Sequence, residues 1–201
     1  MKDRHPQPKD QGLIIGAETE STEPWVDFNQ AAWDELAAQG NPLARPAEDH
    51  LFANPLQCVD GPGWLGDSIR GQKVLCLAAG GGRQGPLYAA AGGQVTVVDI
   101  SGGMLQMDRQ VAAERKLDIE TVQSSMEHMP MFGEGVFDLV IHPVSTCYVP
   151  DLTHVYREIA RVLRSGGLYI SQHKQPASLQ TELKPDGAGY TLREEYYRQT
   201  A

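Results

Sequence analysis

Apolar residues along the chain recur in two patterns that take turns. Short apolar-rich runs lie at Val74–Ala78, Val95–Val98, Ile119–Gln123, Val136–His142 and Leu168–Gln172. Their length and density predict strands, and the run Val136–His142 predicts one buried on both faces. Between them the spacing changes to that of helices. Gly85–Ala91 is a short alanine-rich segment. Met104–Lys116 carries apolar Leu105, Val111 and Ala112, and Pro150–Leu163 carries Tyr156, Ile159, Ala160 and Leu163. Strands alternating with helices predict an α/β fold, a doubly wound and mostly parallel sheet built from βαβ units.

The flanks read differently. Glu23–Gln39 places Trp25, Phe28, Ala32, Trp33, Leu36 and Ala37 at helical spacing, which predicts an amphipathic helix ahead of the sheet. Gly40–Gly63 holds Pro42, Pro46, Pro55 and Pro62, so it is expected to be loop with a short helical piece near Asp49–Leu56. Trp64–Ile69 is expected to form a helical turn. Ser124–Gly135 is expected to be loop, and Ser165-Gly166-Gly167 to terminate the preceding helix. Met1–Gln11 is polar and is expected to be unstructured, Leu13–Ala17 is a short strand or a loop, and Leu192–Gln199 a helix or an edge strand. The expected organisation is an arm over 1–22, a helical cap over 23–70 and the sheet-bearing domain over 71–201.

The length of 201 residues suits one such domain with a core of its own. A formal net charge of −9, with Lys and Arg scattered, argues against a nucleic-acid partner. Arg157, Arg161 and Arg164 have helical spacing and are read as a solvated face. No apolar run approaches the roughly 20 residues that span a bilayer, and the amino terminus carries no apolar signal segment. Cys58, Cys76 and Cys147 are widely spaced and lie in or beside apolar runs, as reduced core cysteines do. A soluble, cytoplasmic protein, a monomer or a homodimer without a membrane partner, is expected. The six histidines show no paired ligand spacing, so no metal is expected.

Chemistry concentrates in Lys73–Ser101. An apolar run stops at Gly80, Gly81 and Gly82, a short helical segment follows, and a second apolar run ends in Asp99. Strand, glycine turn, helix, strand and acid describe a nucleotide site. The glycines let backbone and ligand approach closely, and an acid at a strand tip accepts hydrogen bonds from ribose hydroxyls. Two ligands satisfy this pattern. Gly80-x-Gly82-x-x-Gly85 with Asp99 nineteen residues on matches the dinucleotide fingerprint. S-adenosylmethionine uses a similar turn and the same acid.

The segment resembles motif I of the class I S-adenosylmethionine-dependent methyltransferases, and three further segments resemble the family in order. Gln123-Ser124-Ser125-Met126-Glu127-His128-Met129-Pro130 is similar to its loop after the third strand. Phe137-Asp138-Leu139-Val140 is similar to its fourth strand. Glu158-Ile159-Ala160-Arg161-Val162-Leu163-Arg164-Ser165-Gly166-Gly167 is similar to the entry of its fifth. The resemblance covers about half of the chain. It implies a Rossmann-like domain that binds S-adenosylmethionine and methylates an acceptor. Ala78, Ala79, Gly80 and Gly82 would cradle the methionine end, Asp99 would hold the ribose, and Ile100, Ser125 and Met126 the adenine. Two positions depart from the family: Cys76 and Ser125 each stand where it commonly places an acid. A NAD(P)-binding protein and a non-catalytic nucleotide-binding domain are the alternatives.

Methyl transfer is an in-line displacement that depends chiefly on holding donor and nucleophile in contact. A base is needed only where the nucleophile must lose a proton early, and no catalytic set stands out. The stretch His142-Pro143-Val144-Ser145-Thr146-Cys147-Tyr148 follows a strand and so faces the ligand side. His142 is a candidate base or a contact of the donor's methionine part, and otherwise a hydrogen-bonded strand-end residue. Trp25 and Trp33 either anchor the amino-terminal helix or line a lid over the site. The acceptor is expected to be a small molecule. The family completes its sheet with two further strands, and only 29 residues follow Gln172, so either the carboxyl-terminal strands are missing or truncated, or Tyr190–Gln199 supplies one of them poorly.

Overall fold

The central strand of the sheet is the first of the apolar runs. In the computed structural model, which describes residues 14–15, 24–181, 189 and 191–193, β2 (Lys73–Leu77) lies between β3 (Gln94–Asp99) and β5 (Phe137–His142). Beyond β3 come β4 (Ile119–Gln123) and the two-residue β1 (Ile14–Ile15); beyond β5 comes β6 (Leu163–Ser171). The order is β1-β4-β3-β2-β5-β6, and every pairing is parallel. From β2 the chain steps outward through β3 and β4, then crosses back to β5 on the other side. The two directions part at the carboxyl end of β2, which opens a crevice there.

Strand alternation sorts the core into two layers. Val74 and Cys76 of β2, Val95 and Val97 of β3, and Leu139 and Ile141 of β5 join Tyr88, Leu105 and Ala112 on one face. These last three belong to α3 (Gln84–Ala90) and α4 (Gly102–Arg115). Leu75, Leu77, Val98, Val122 and Val140 point the other way, against Val155, Ile159 and Val162 of α5 (Leu152–Val162) and against Met126 and Met129. Burial on both faces is what the near-continuous apolar runs required.

Ahead of the sheet stand α1 (Pro24–Ala38), two short 3-10 turns at Pro42–Ala44 and Asp49–Ala53, and α2 (Pro55–Val59). The segment 64–67 is turn rather than helix. After β6 the described residues hold α6 (Pro176–Leu179) and one antiparallel bridge, Thr181 with Leu192. The expectations for residues 1–11, and for the helix or strand beyond 193, lie outside the described residues.

Three local expectations need correction. The buried stripe of α5 is Val155, Ile159 and Val162, while Tyr156 and Ala160 face outward. The Asp151 carboxylate caps this helix by accepting from the Thr153 amide at 2.8 Å, and packing against Leu75, Leu77 and Val140 selects the buried face. Second, Gly166 and Gly167 lie within β6 rather than at a helix end. Leu163 pairs with Phe137 and Leu168 with Leu139, so residues 164–167 bulge opposite the single residue Asp138. Third, Cys58 and Cys147 are exposed, and only Cys76 is buried; all three are free thiols.

The arginines of α5 are also not one solvated face. Arg161 pairs with Glu158 at 2.7 Å and donates to the carbonyls of Phe132 at 2.6 Å and Met129 at 2.8 Å. Glu158 in turn accepts from the Met129 amide at 2.6 Å. This bidentate clamp fastens the loop that follows β4 onto α5. Removing it leaves two carbonyls and a half-buried carboxylate without their partner. Arg161→Ala is therefore expected to lose about 1–3 kcal/mol of stability, read by urea denaturation, whereas the exposed Arg157→Ala stays within about 0.5 kcal/mol.

Candidate functional site

The site is built on a turn whose amides are held from behind. After β2 the chain passes through Ala78 at φ 48° and Gly81 at φ 111°. A non-glycine residue in the left-handed region costs about 1–2 kcal/mol, so Ala78 carries local strain at the tip of the central strand. Gly80 is required for approach instead. A Cβ there would lie 2.7 Å from the Met104 Cβ and 3.0 Å from an Asp99 oxygen. The Gly80 amide donates to Asp99 Oδ2 at 2.9 Å, and the Ser101 amide donates to Asp99 Oδ1 at 2.9 Å. Asp99 thus ties the tip of β3 to the turn after β2. Each of its oxygens keeps a second lone pair, and Asp99 borders the cavity. Burial raises its pKa, against the lowering effect of the Ser101 and Gly80 amides.

The next amide has its own acid. Gly81 donates to Asp108 Oδ2 at 2.9 Å, and also reaches the Met104 carbonyl at 3.0 Å. Asp108 sits on α4, fully buried, and its Oδ1 has no hydrogen-bond partner within the usual geometry. Burial pushes its pKa up to about 7, opposed by the nearby Gly82 and Gly81 amides. Cys76 lies close by within the sheet; burial and then the Asp108 charge push its thiol well above the ordinary range. Position 76 of the strand offers no carboxylate, and the acid that reaches the turn comes from the adjacent helix.

In front of the turn lies a cavity of about 230 Å³. Of the residues expected to bind a cofactor, Ala78, Ala79, Gly80, Asp99, Ile100, Ser125 and Met126 line it. Gly82 and His142 do not. Gly82 is packed behind the turn, where a Cβ would meet Val111, the Met107 carbonyl and Pro46, and its carbonyl accepts from the Ala47 amide at 3.0 Å. His142 is fully buried at the end of β5 behind Ser145, which does line the cavity. Ser145 Oγ is 2.6 Å from His142 Nε2, and His142 Nδ1 is 2.9 Å from the Tyr169 hydroxyl. Burial, then His173, depresses the His142 pKa to about 4. Ser125 Oγ accepts from the Glu127 amide at 3.2 Å.

The outer wall comes from the cap. Trp25, Val26, Asn29 and Trp33 of α1 face the cavity, so the two tryptophans line it rather than anchor α1 in the sheet's core. The anchor is polar. Asp34 accepts from Ser101 Oγ at 2.5 Å and from the Gly103 amide at 3.0 Å, at the first turn of α4. Asn29 donates to the Tyr148 carbonyl at 2.9 Å, and the Trp33 and Tyr148 rings meet edge to face at 5.7 Å. The Trp25 indole N–H is buried and has no hydrogen-bond partner among the described residues.

Two of these residues had a readable signal. On α4, Asp108 falls in one stripe with Leu105, Val111 and Ala112, and an acid on the apolar face of a helix marks a buried function. Ser145 lies three residues after His142, beyond a strand end. Asp34 had none, because its partners lie 67 and 69 residues away in sequence.

Comparison with known proteins places the fold in a family. Residues 75–171 match the family model of a methyltransferase domain. The chain is 37% identical over 175 residues to the uncharacterized methyltransferase YbaJ of Bacillus subtilis (strain 168), covering 81% of this chain and 68% of that one. It is 31% identical over 172 residues to a ubiquinone biosynthesis O-methyltransferase of Xanthomonas oryzae pv. oryzae, covering 83% and 70%. The fold is similar to that of Haemonchus contortus phosphoethanolamine N-methyltransferase 1, solved with phosphoethanolamine and S-adenosylhomocysteine. That match has a TM-score of 0.64 at 15% identity and covers 88% of this chain and 37% of that one.

The buried acid behind the turn has a pH signature. The folded pKa of Asp108 is raised, so folding takes up a proton wherever the unfolded carboxyl is already ionised. The resulting stability is complete below the ordinary carboxyl range and is lost as pH rises through about 7. The slope approaches about 1.4 kcal/mol per pH unit at most. Asp108→Asn cannot titrate, so its melting temperature relative to the parent should climb between pH 5 and pH 8 in scanning calorimetry. His142, whose lowered pKa acts in the opposite sense, is common to both proteins and cancels. Parallel curves would refute this account of Asp108.

Proposed function

The chain belongs to the class I S-adenosylmethionine-dependent methyltransferases, and on that premise we propose that its cavity holds the donor against a small organic acceptor. One observation carries the reading. Asp99 is presented at the tip of β3, oriented by two backbone amides, with lone pairs to spare beside the apolar Ile100, Met104 and Met126. That is an acid for vicinal ribose hydroxyls next to a slot for a flat base. The cavity carries charge of both signs, Asp99 and Glu127 against Arg45 and Arg83, which suits a donor that carries both a sulfonium and a carboxylate.

On this reading the turn at Ala78–Gly81 holds the methionine end, Asp99 the ribose, and Ile100, Ser125 and Met126 the adenine. S-adenosylmethionine supplies an electrophilic methyl group. Trp25, Val26, Trp33, Tyr148 and Val149 then form a largely apolar acceptor chamber that keeps water from the donor. Its enclosure and its aromatic walls favour a small molecule over a macromolecular surface. Among the described residues no helix is long and apolar enough to cross a membrane.

Calorimetric titration tests the placement. The protein should bind S-adenosylmethionine and S-adenosylhomocysteine and give no heat with NAD. Asp99→Ala should weaken donor binding by roughly 10- to 100-fold, the worth of about 1.5–3 kcal/mol of hydrogen bonding to a charged group. Donor binding that is unchanged in Asp99→Ala would overturn it.

A further inference from the structure

Behind the acceptor chamber runs a hydrogen-bonded chain for which donor binding has no use. It begins at Ser145 Oγ on the cavity wall, 5% exposed, and passes to His142 Nε2 at 2.6 Å. From His142 Nδ1 it reaches the Tyr169 hydroxyl at 2.9 Å. Ser171 follows two residues on along β6, on the same face of the sheet as Tyr169, and is the next polar group outward. Ser171 Oγ is 2.8 Å from His173 Nε2, and His173 is exposed and also bonds Thr146 Oγ1 at 3.1 Å. Every member can both give and take a proton. One end touches the cavity and the other touches solvent.

We propose that Ser145 receives the proton of an acceptor hydroxyl and that His142 and Tyr169 pass it outward, so that the acceptor is a phenol seated among Trp25, Trp33 and Tyr148. This rests on the reading of the cavity as a methyl-donor site. In the transfer the acceptor O–H bond breaks and an O–CH3 bond forms, while the S–CH3 electron pair stays on sulfur. The released proton goes to Ser145 Oγ as the Ser145 proton moves to His142 Nε2. The Nδ1 proton moves to the Tyr169 oxygen, and the tyrosine's own proton leaves through Ser171 and His173. One proton enters the chain and one leaves it, which balances the loss of the sulfonium charge.

The surroundings of the ring favour a relay over a charged base. Among the described residues its hydrogen-bond partners are Ser145, from the loop after β5, and Tyr169, from β6; His173 lies beyond them, and Tyr156 of α5 meets Tyr169 edge to face. Among the described residues no carboxylate bonds the ring to stabilise an imidazolium, as one does in a Ser-His-Asp triad. A ring that resists protonation keeps Nε2 free to accept from Ser145 throughout the neutral range. In this arrangement Ser145 is the catalytic group, and His142 and Tyr169 position and recharge it.

Two measurements test it. Nitrogen-15 NMR of the free protein should find His142 protonated at Nδ1, bare at Nε2, and still neutral near pH 5. An Nε2–H ring, or one that charges near the ordinary histidine value of about 6.5, overturns the relay. Methyl transfer from radiolabelled S-adenosylmethionine is then compared at neutral pH on phenol, which arrives protonated, and 4-nitrophenol, which arrives largely ionised. Ser145→Ala should lower kcat on phenol about 100-fold or more and on 4-nitrophenol only a few-fold. Tyr169→Phe, which keeps the ring, should show the same selectivity with a smaller loss. Equal losses on both probes, or none, overturn the relay. Methylation of neither phenol by a protein that binds the donor in calorimetry overturns the acceptor class, whereas failure to bind the donor overturns the donor site itself.

Discussion

The structure depends on how backbone amides at the end of the central strand are kept in place. Gly80 and Gly81 present their N–H groups where the chain turns out of the sheet, and each is held by a buried carboxylate from a neighbouring element: Asp99 at the tip of β3 and Asp108 on α4. A buried amide left unpaired is costly, and a buried carboxylate without donors is costlier. Joined, the two needs fix the turn against β3 and α4 together. Cys76 is a buried thiol that brings no acid to the turn, and Asp108 reaches the turn from the adjacent helix.

The second constraint is that the cavity has walls of different origin. Its floor comes from strand ends, which the sheet makes rigid. Its outer wall is α1, a helix with no fully buried residue. Hydrophobic burial alone would hold such a helix poorly. Asp34 at the first turn of α4, Asn29 on the Tyr148 carbonyl, and the Trp33–Tyr148 contact hold it instead. These contacts join α1 to two of the loops that border the cavity, so the position of α1 and the shape of the cavity are coupled.

Family membership and chemistry meet at this point. The methyltransferase fold explains the turn, Asp99 and the apolar slot. The family resemblance did not foresee the chain from Ser145 through His142 to Tyr169, because its members come from β5, the loop after it and β6, and only parallel pairing of β5 with β6 aligns them. His142 pairs with Ser171 in that register, which brings Tyr169 and His173 to the same end of the sheet.

Much was decided by the sequence alone. The apolar runs located the five long strands, the helical spacing located α1, α3, α4 and α5, and the glycines located the turn after β2. These are local properties: periodicity and turn chemistry act over a few residues and survive without a fold. Tertiary structure decided the rest. It put Gly82 behind the turn and His142 behind Ser145, turned α5 to bury Val155 rather than Tyr156, placed Gly166 in a bulge, and made Arg161 a clamp. It also brought in Asp34 and Asp108. Each of these depends on which face of an element meets which neighbour, and that is set by packing between segments far apart in the chain.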